Sequence, residues 1–228
     1  MGNRDFEKPG VAFAKSRIGF LTISQGVASA LLRIITMIKP KIILLQVLLA
    51  SGAFCHGDTT LVVSIPDQQL SVLENGVSVA SYRVSTSRFG LGDSRGSYAT
   101  PLGEMEIAQK IGAGAPLGAV FKGRRQTGEV LRPNSAGRDP IVTRILWLRG
   151  LEARNQHAYE RGIYIHGTPV ERFIGRPASY GCIRMRSRDI VQLFEKVSTG
   201  ARIVIRNESA GRAVSEIAAT RNHAKIAG

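Results

Sequence analysis

From residue 60 onward, apolar and polar side chains tend to trade places at every second position. Thr60–Ile65 and Gln69–Glu74 alternate in this way around Pro66-Asp67, and a period of two marks a strand with one buried face. Asn75-Gly76 then accepts the positive φ of a two-residue hairpin turn, so Val77–Ser85 is predicted to return as a partner strand. Ser85–Ala99 is rich in Ser and Gly and reads as a loop, closed by the turn Thr100-Pro101-Leu102-Gly103. Glu104–Ile107 and Ala119–Lys122 are short strand candidates, and Ile141–Leu148 and Gly162–Ile165 are strongly β-forming. Between them, Arg124–Pro140 is a polar excursion with two prolines and two glycines, expected to be a lid or binding loop. The period changes once. Over Ser187–Val197, Ile190, Leu193, Phe194 and Val197 share a helical face, with Ser187 as the expected cap and Gly200 beyond the end. Ala201–Ile205 closes the pattern as a last strand. The reading is a mainly β fold with one principal helix, and residues 207–228 are expected to be a dispensable, partly helical tail.

The start of the chain follows different rules. Ile42–Phe54 is a thirteen-residue uncharged run preceded by Lys39 and Lys41 and closed by Ser51, Gly52 and Ala53. That is the layout of a secretory signal peptide, and it is short of the ~20 residues of a membrane span. Residues 1–55 are therefore expected to be a signal peptide or a retained N-terminal anchor. Met37 directly before the basic segment is expected to be the natural start, with residues 1–36 an over-extended upstream portion. The domain proper is placed at 56–206.

Composition narrows the class. In 228 residues, 43% are hydrophobic and 21% charged, enough to bury a core. Two cysteines exclude a disulfide-dense scaffold, and four scattered histidines exclude a zinc finger. A net charge of +14 attracts polyanions, but aromatics are only 6% and no arginine-rich motif interleaves them, so no nucleic-acid partner is expected. An exported basic protein meets anionic envelope polymer instead.

One histidine and one cysteine can carry chemistry. His166 ends the apolar run Ile163-Tyr164-Ile165 and precedes Gly167; Cys182 lies in Ser179-Tyr180-Gly181-Cys182-Ile183-Arg184-Met185. A thiol nucleophile needs a base and N–H donors for the developing oxyanion, and an imidazole can serve as that base. By themselves the two residues are equally readable as a satisfied strand-end histidine and a small buried cysteine. Elsewhere, Trp147 reads as core, His157 as part of a solvated lid, and His56, His223 and Cys55 as incidental. Arg124, Arg125, Arg132 and Arg138 form a basic stretch that either binds carboxylates or is simply solvated.

The longer string is more specific. His166-Gly167-Thr168, then Pro177 to Met185, then the Ser187-x-Asp189-Ile190 helix start resembles the catalytic signature of the L,D-transpeptidase family, the YkuD-type domain found in ErfK/YbiS-like envelope proteins. The opening strands and Ala99–Ile107 resemble that domain too, so the likeness covers residues 60–206. It implies a YkuD-like mixed β-sandwich and a cysteine acyltransferase acting on peptidoglycan stem peptides, a tetrapeptide donor and an amine acceptor. Cys182 would be the nucleophile, passing through a thioester to a 3→3 cross-link or a link to a protein amine. His166 would be the base, oriented by the Gly167 carbonyl. The amides of Tyr180, Gly181 and Cys182 would form the oxyanion hole, and Arg184, Ser179 and Tyr180 would contact substrate. No metal or organic cofactor enters the scheme, which also implies a periplasmic or cell-envelope monomer that touches membrane only through its leader. In place of the family's second histidine stands Tyr180, so His166 must carry the base function alone. Activity is then expected to vary as this pair titrates between pH 5 and 9. The same site with water as acceptor would make an L,D-carboxypeptidase or hydrolase, and without chemistry the basic domain would be a wall-binding module.

Overall fold

Ten strands and two helices occupy residues 59–226, the part of the chain that the computed structural model describes. In chain order the strands are β1 (Thr59–Ser64), β2 (Gln69–Glu74), β3 (Val77–Arg83), β4 (Gly103–Ile111), β5 (Ala119–Lys122), β6 (Arg125–Val130), β7 (Ile141–Gly150), β8 (Tyr164–Gly167), β9 (Ile183–Met185) and β10 (Arg202–Arg206). The helices are α1 (Ser187–Lys196) and α2 (Ala210–Ile226). The expected leader, Cys55, His56 and the His223 side chain lie outside the described residues.

The sheet runs β3-β2-β1-β10-β4-β7-β5-β6 and branches at β7, which also pairs with β8. Two pairs are parallel, β1 with β10 and β8 with β9, so the sheet is mixed, as the family resemblance implies. The main core gathers Leu61, Val63, Met105, Leu146, Leu148 and Ile165 against Ile190, Leu193 and Phe194 of α1. The helix thus buries the face assigned to it.

Four local expectations need correction. The excursion Arg124–Pro140 is not all loop. β6 folds back on β5 through Gly123-Arg124, whose φ values of +56° and +67° make the two-residue turn; a Gly-Arg pair lacks the usual Asn-Gly signal. β4 extends four residues beyond Ile107, across a register shift that interrupts the alternation. Ser187 is not the helix cap: that position is Arg186, and the Ser187 N–H is instead met by the Glu171 carboxylate at 2.8 Å. Most consequentially, residues 207–228 are not a dispensable tail. Ala213 and Ile217 of α2 cover Val62, Leu73 and Val204 on the second face of the sheet. This explains why β1 is buried on both faces, with Val62 apolar where strict alternation asks for a polar side chain.

Since Ile217 is 9% exposed within that second cluster, Ile217→Ala should cost about 2 kcal/mol of stability. Urea unfolding monitored by circular dichroism would measure it, and a chain ended at Arg206 should lose more.

Candidate active site

The site is built where the sheet branches. β8 lies between β7, antiparallel, and β9, parallel, with Ile165 beside Ile183 and His166 beside Arg184. Alternation along a strand then decides which side chains share a face. Tyr164 and His166 of β8 point the same way as Arg184 and, one pleat earlier, Cys182. Diagonal neighbours of this kind have Cα atoms ~7–8 Å apart, close enough for an imidazole to serve a thiol.

His166 is 4% exposed, and its Nδ1 lies 2.8 Å from the Gly167 carbonyl oxygen. A carbonyl only accepts, so the ring carries its proton on Nδ1 and leaves the Nε2 lone pair free. That carbonyl is held by close packing. On β7, Val142 pairs with Gly167 and Ile145 with His166, so Thr143 and Arg144 bulge between them. Thr143 sits at φ +73°, a strained conformation for a β-branched residue. Its hydroxyl accepts from the Gly118 N–H at 3.0 Å and donates to Ser187 Oγ at 2.8 Å. A Cβ on Gly167 would fall 2.6 Å from the Val142 oxygen, so this position admits only glycine.

Cys182 is half-buried against the cluster of Trp147, Tyr164, Ile145 and Phe121. Its thiol donates to the Gly162 carbonyl at 3.4 Å. The preceding loop is pinned by short polar links. Ser179 Oγ donates to the Cys182 carbonyl at 2.5 Å and accepts from the Gly181 N–H at 3.2 Å. Thr100 Oγ1 donates to the Gly181 carbonyl at 3.0 Å and accepts from the Ser87 N–H. Gly181 has φ +112°, and a Cβ there would press on the Ala99 carbonyl at 3.2 Å. Among the described residues the amides of Tyr180 and Cys182 have no acceptor, so both are free to face an incoming oxyanion, whereas that of Gly181 is engaged by Ser179.

Two residues expected to meet substrate are engaged differently. Arg184 is buried, and its Nη1 donates to Asp139 at 2.5 Å and to the Ala178 carbonyl at 3.1 Å. Asp139 also accepts from Thr168 Oγ1 at 2.6 Å. Ser179 is fully buried and serves the loop's internal bonding. Tyr180 is half exposed, its hydroxyl bonded to Arg88 and its ring clustered with Phe89 and Tyr98 at centroid distances of 5.1 and 5.5 Å.

Of the remaining singled-out residues, Trp147 is buried and stacks on Tyr159 at 4.1 Å, with Arg124 over its other side at 4.4 Å. Arg138 pairs with Glu129. Asp139 and Thr143 went unmarked in the sequence because nothing local separates a functional Asp-Pro from a turn, or a bulged Thr from an ordinary strand Thr. Among the described residues no three His, Cys, Asp or Glu side chains group as metal ligands.

Burial governs both titrating groups. It pushes His166 down to about 4, against a smaller upward pull from its bond to the Gly167 carbonyl. Burial also pushes the Cys182 thiol up, opposed by the Tyr164 amide and by the charges of Arg184 and Arg161. At neutral pH the resting pair is therefore a neutral imidazole and an intact thiol. The expected titration of activity between pH 5 and 9 must be corrected on its acid side, since the imidazole loses its proton well below that range.

Residues 58–205 match the model of the family described as YkuD, the L,D-transpeptidase catalytic domain. The chain is 41% identical over 54 residues to YqjB of Bacillus subtilis (strain 168), covering 24% of this chain and 30% of that protein. It is 51% identical over 39 residues to YbiS of Escherichia coli (strain K12), covering 17% and 13%. Both proteins carry L,D-transpeptidase in their names, and the matched segments span less than a third of either. An L,D-transpeptidase from Mycobacterium smegmatis aligns at 16% identity and TM-score 0.43, over 66% of this chain and 59% of that one. L,D-transpeptidase 3 from Mycobacterium tuberculosis, in complex with a faropenem-derived adduct, aligns at 17% and 0.43, over 66% and 60%.

A histidine held at about 4 when folded and near 6.5 when unfolded makes the unfolded chain bind more protons between those values. Its contribution is complete above pH 6.5 and is lost as pH falls toward 4, roughly 3 kcal/mol in all. Unfolding free energies measured across this window should fall as the pH is lowered, and His166→Gln should flatten the slope.

Proposed function

This chain belongs to the YkuD family of L,D-transpeptidase catalytic domains, and on that premise we propose that it transfers acyl groups between peptidoglycan stem peptides through a thioester on Cys182. The observation that supports this reading is the pairing of His166 with Arg184 across β8 and β9, from which alternation directs Cys182, one pleat earlier, to the same side, while the Gly167 carbonyl engages Nδ1 and leaves Nε2 to serve as base. In the first half-reaction His166 Nε2 takes the thiol proton as Cys182 Sγ bonds to the donor carbonyl carbon. The oxyanion is met by the free amides of Tyr180 and Cys182. On collapse the C–N bond breaks, the leaving D-alanine nitrogen receives that proton, and the thioester remains. An acceptor amine then attacks, gives its proton to His166, and the sulfur leaves and is reprotonated.

Because both groups rest neutral, charge separates only during attack, and the base acts by taking a proton rather than by maintaining an ion pair. The fixed Nδ1–H bond keeps the ring in the tautomer that this step needs. The acceptor is proposed to be a side-chain amine of a neighbouring stem, giving 3→3 links. The catalytic domain is proposed to run from residue 56 through α2, which completes its second core, and to work as a monomer at the cell envelope after export by the N-terminal leader. Among the described residues no helix is long and apolar enough to cross a membrane.

Intact-protein mass spectrometry after exposure to a carbapenem tests the nucleophile. The native protein should gain one adduct and Cys182→Ala none; an equal adduct on both would overturn the assignment. Muropeptide products of the purified protein should contain 3→3 dimers, whereas trimmed monomers alone would mean that water is the acceptor. The acid limb of kcat/KM should lie near pH 4, with little change from pH 5 to 7. An acid limb at pH 6.5 would contradict the buried neutral base.

A further inference from the structure

Directly beside the nucleophile's loop lies a groove of about 460 Å³ whose lining includes Arg88, Arg176, Arg184, Asp139, Tyr180 and Phe173. Three guanidiniums against one carboxylate leave it with a surplus of positive charge. The carboxylate is already committed, since Asp139 bonds both Arg184 and Thr168. Arg88 lies 4.7 Å from the Tyr180 ring centroid and 4.9 Å from that of Phe89, and Arg176 lies 4.6 Å from that of Phe173. Among the described residues neither Arg88 nor Arg176 has a carboxylate partner, and both are exposed. Deeper in, the buried Nε of Arg184 has no hydrogen-bond partner.

We propose that this groove is a carboxylate-binding subsite in which Arg88 and Arg176 hold a carboxylate of the peptide attacked by Cys182. The proposal rests on the peptide acyl-transfer reading above and names what that substrate must carry. A guanidinium fork matches a carboxylate in two parallel bonds. The aromatic walls set the planes of both forks. Tyr180 is two residues from Cys182, at most ~7 Å along the chain, so a peptide reacting at the sulfur passes the groove within one or two residues. Tyr180 takes on a specific part here. Its hydroxyl and ring orient Arg88, a service that an imidazolium at the same position would oppose by charge. The carboxylate has two sources in a stem tetrapeptide, the C-terminus of the leaving D-alanine and the side-chain carboxylates ahead of it.

Titration calorimetry on the full chain carrying Cys182→Ala, which binds without turnover, separates them. The probes are a stem tetrapeptide ending in D-alanine, its C-terminal carboxamide, and its side-chain-amidated form. Arg88→Ala/Arg176→Ala should weaken the free acid at least tenfold, and Arg88→Lys/Arg176→Lys should recover part of the loss. One amidated peptide should bind as weakly to the parent as the free acid does to the double alanine variant, and be indifferent to the arginines; which one it is identifies the carboxylate. Equal melting temperatures would show that the variants fold. The groove assignment is overturned if the double alanine variant binds the free acid within twofold of the parent, if all three peptides weaken equally, or if none binds. Failure of the acyl-transfer reading shows separately, as absence of a carbapenem adduct on otherwise native Cys182.

Discussion

Two strands of four and three residues, β8 and β9, lie parallel and in register, and every feature of the candidate site depends on that pairing. His166 and Cys182 stand sixteen positions apart, far too many for local geometry to relate them. The ladder does so by pairing His166 with Arg184, so that alternation directs Cys182, one pleat before Arg184, to the same side. A slip of one residue would send them to opposite faces, because side chains alternate with a period of two. Register is therefore guarded from both edges. The bulge at Thr143-Arg144 locks β8 against β7 through a glycine that tolerates no Cβ. Ser85 exchanges both backbone bonds with Arg184 and fixes β9 from the other side.

The electrostatics of the domain run in opposite senses at its surface and at its reactive pair. The surface is strongly basic, yet the His166 imidazole and the Cys182 thiol rest uncharged, since burial disfavours imidazolium and thiolate alike. Arg184 shares a face with His166 and would by itself disfavour protonation of the ring further, while Asp139 offsets it. In the proposed reaction, a proton would then move between two neutral partners, and the exposed cations beyond them would be left to attract and seat an anionic chain.

Much of the fold was legible because strands with one solvated face write their period into the sequence. In β4, Met105 and Ile107 are buried while Glu104 and Glu106 are only partly so, as alternation over Glu104–Ile107 requires, and the stripe of Ile190, Leu193 and Phe194 marks α1. Legibility failed wherever a second layer hid the period. β1, β2 and β10 are covered on both faces, so the apolar Val62, Leu73 and Val204 were the local traces of α2, whose own small residues gave no stripe. β9 is three residues long and too short to show any period. At the site, His166 and Cys182 were visible as a motif, since their residue types are rare and their glycine neighbours are fixed by sterics. Asp139 was not, because its meaning lies entirely in a partner 45 positions away.

Arg161 joins parts of the molecule that the sheet does not. Its buried guanidinium bonds the Gly92, Ser97 and Ala99 carbonyls and pairs with Asp93 at 2.8 Å, while Asp93 also receives the His157 N–H. The loop that carries Phe89 and Tyr98 is therefore fastened to the segment leading into β8. Its aromatic rim is set in place before any ligand arrives. A chain that settled on this rim would lose its own freedom without also having to order the protein, so its encounter would carry a smaller entropic toll than an unfastened loop would impose.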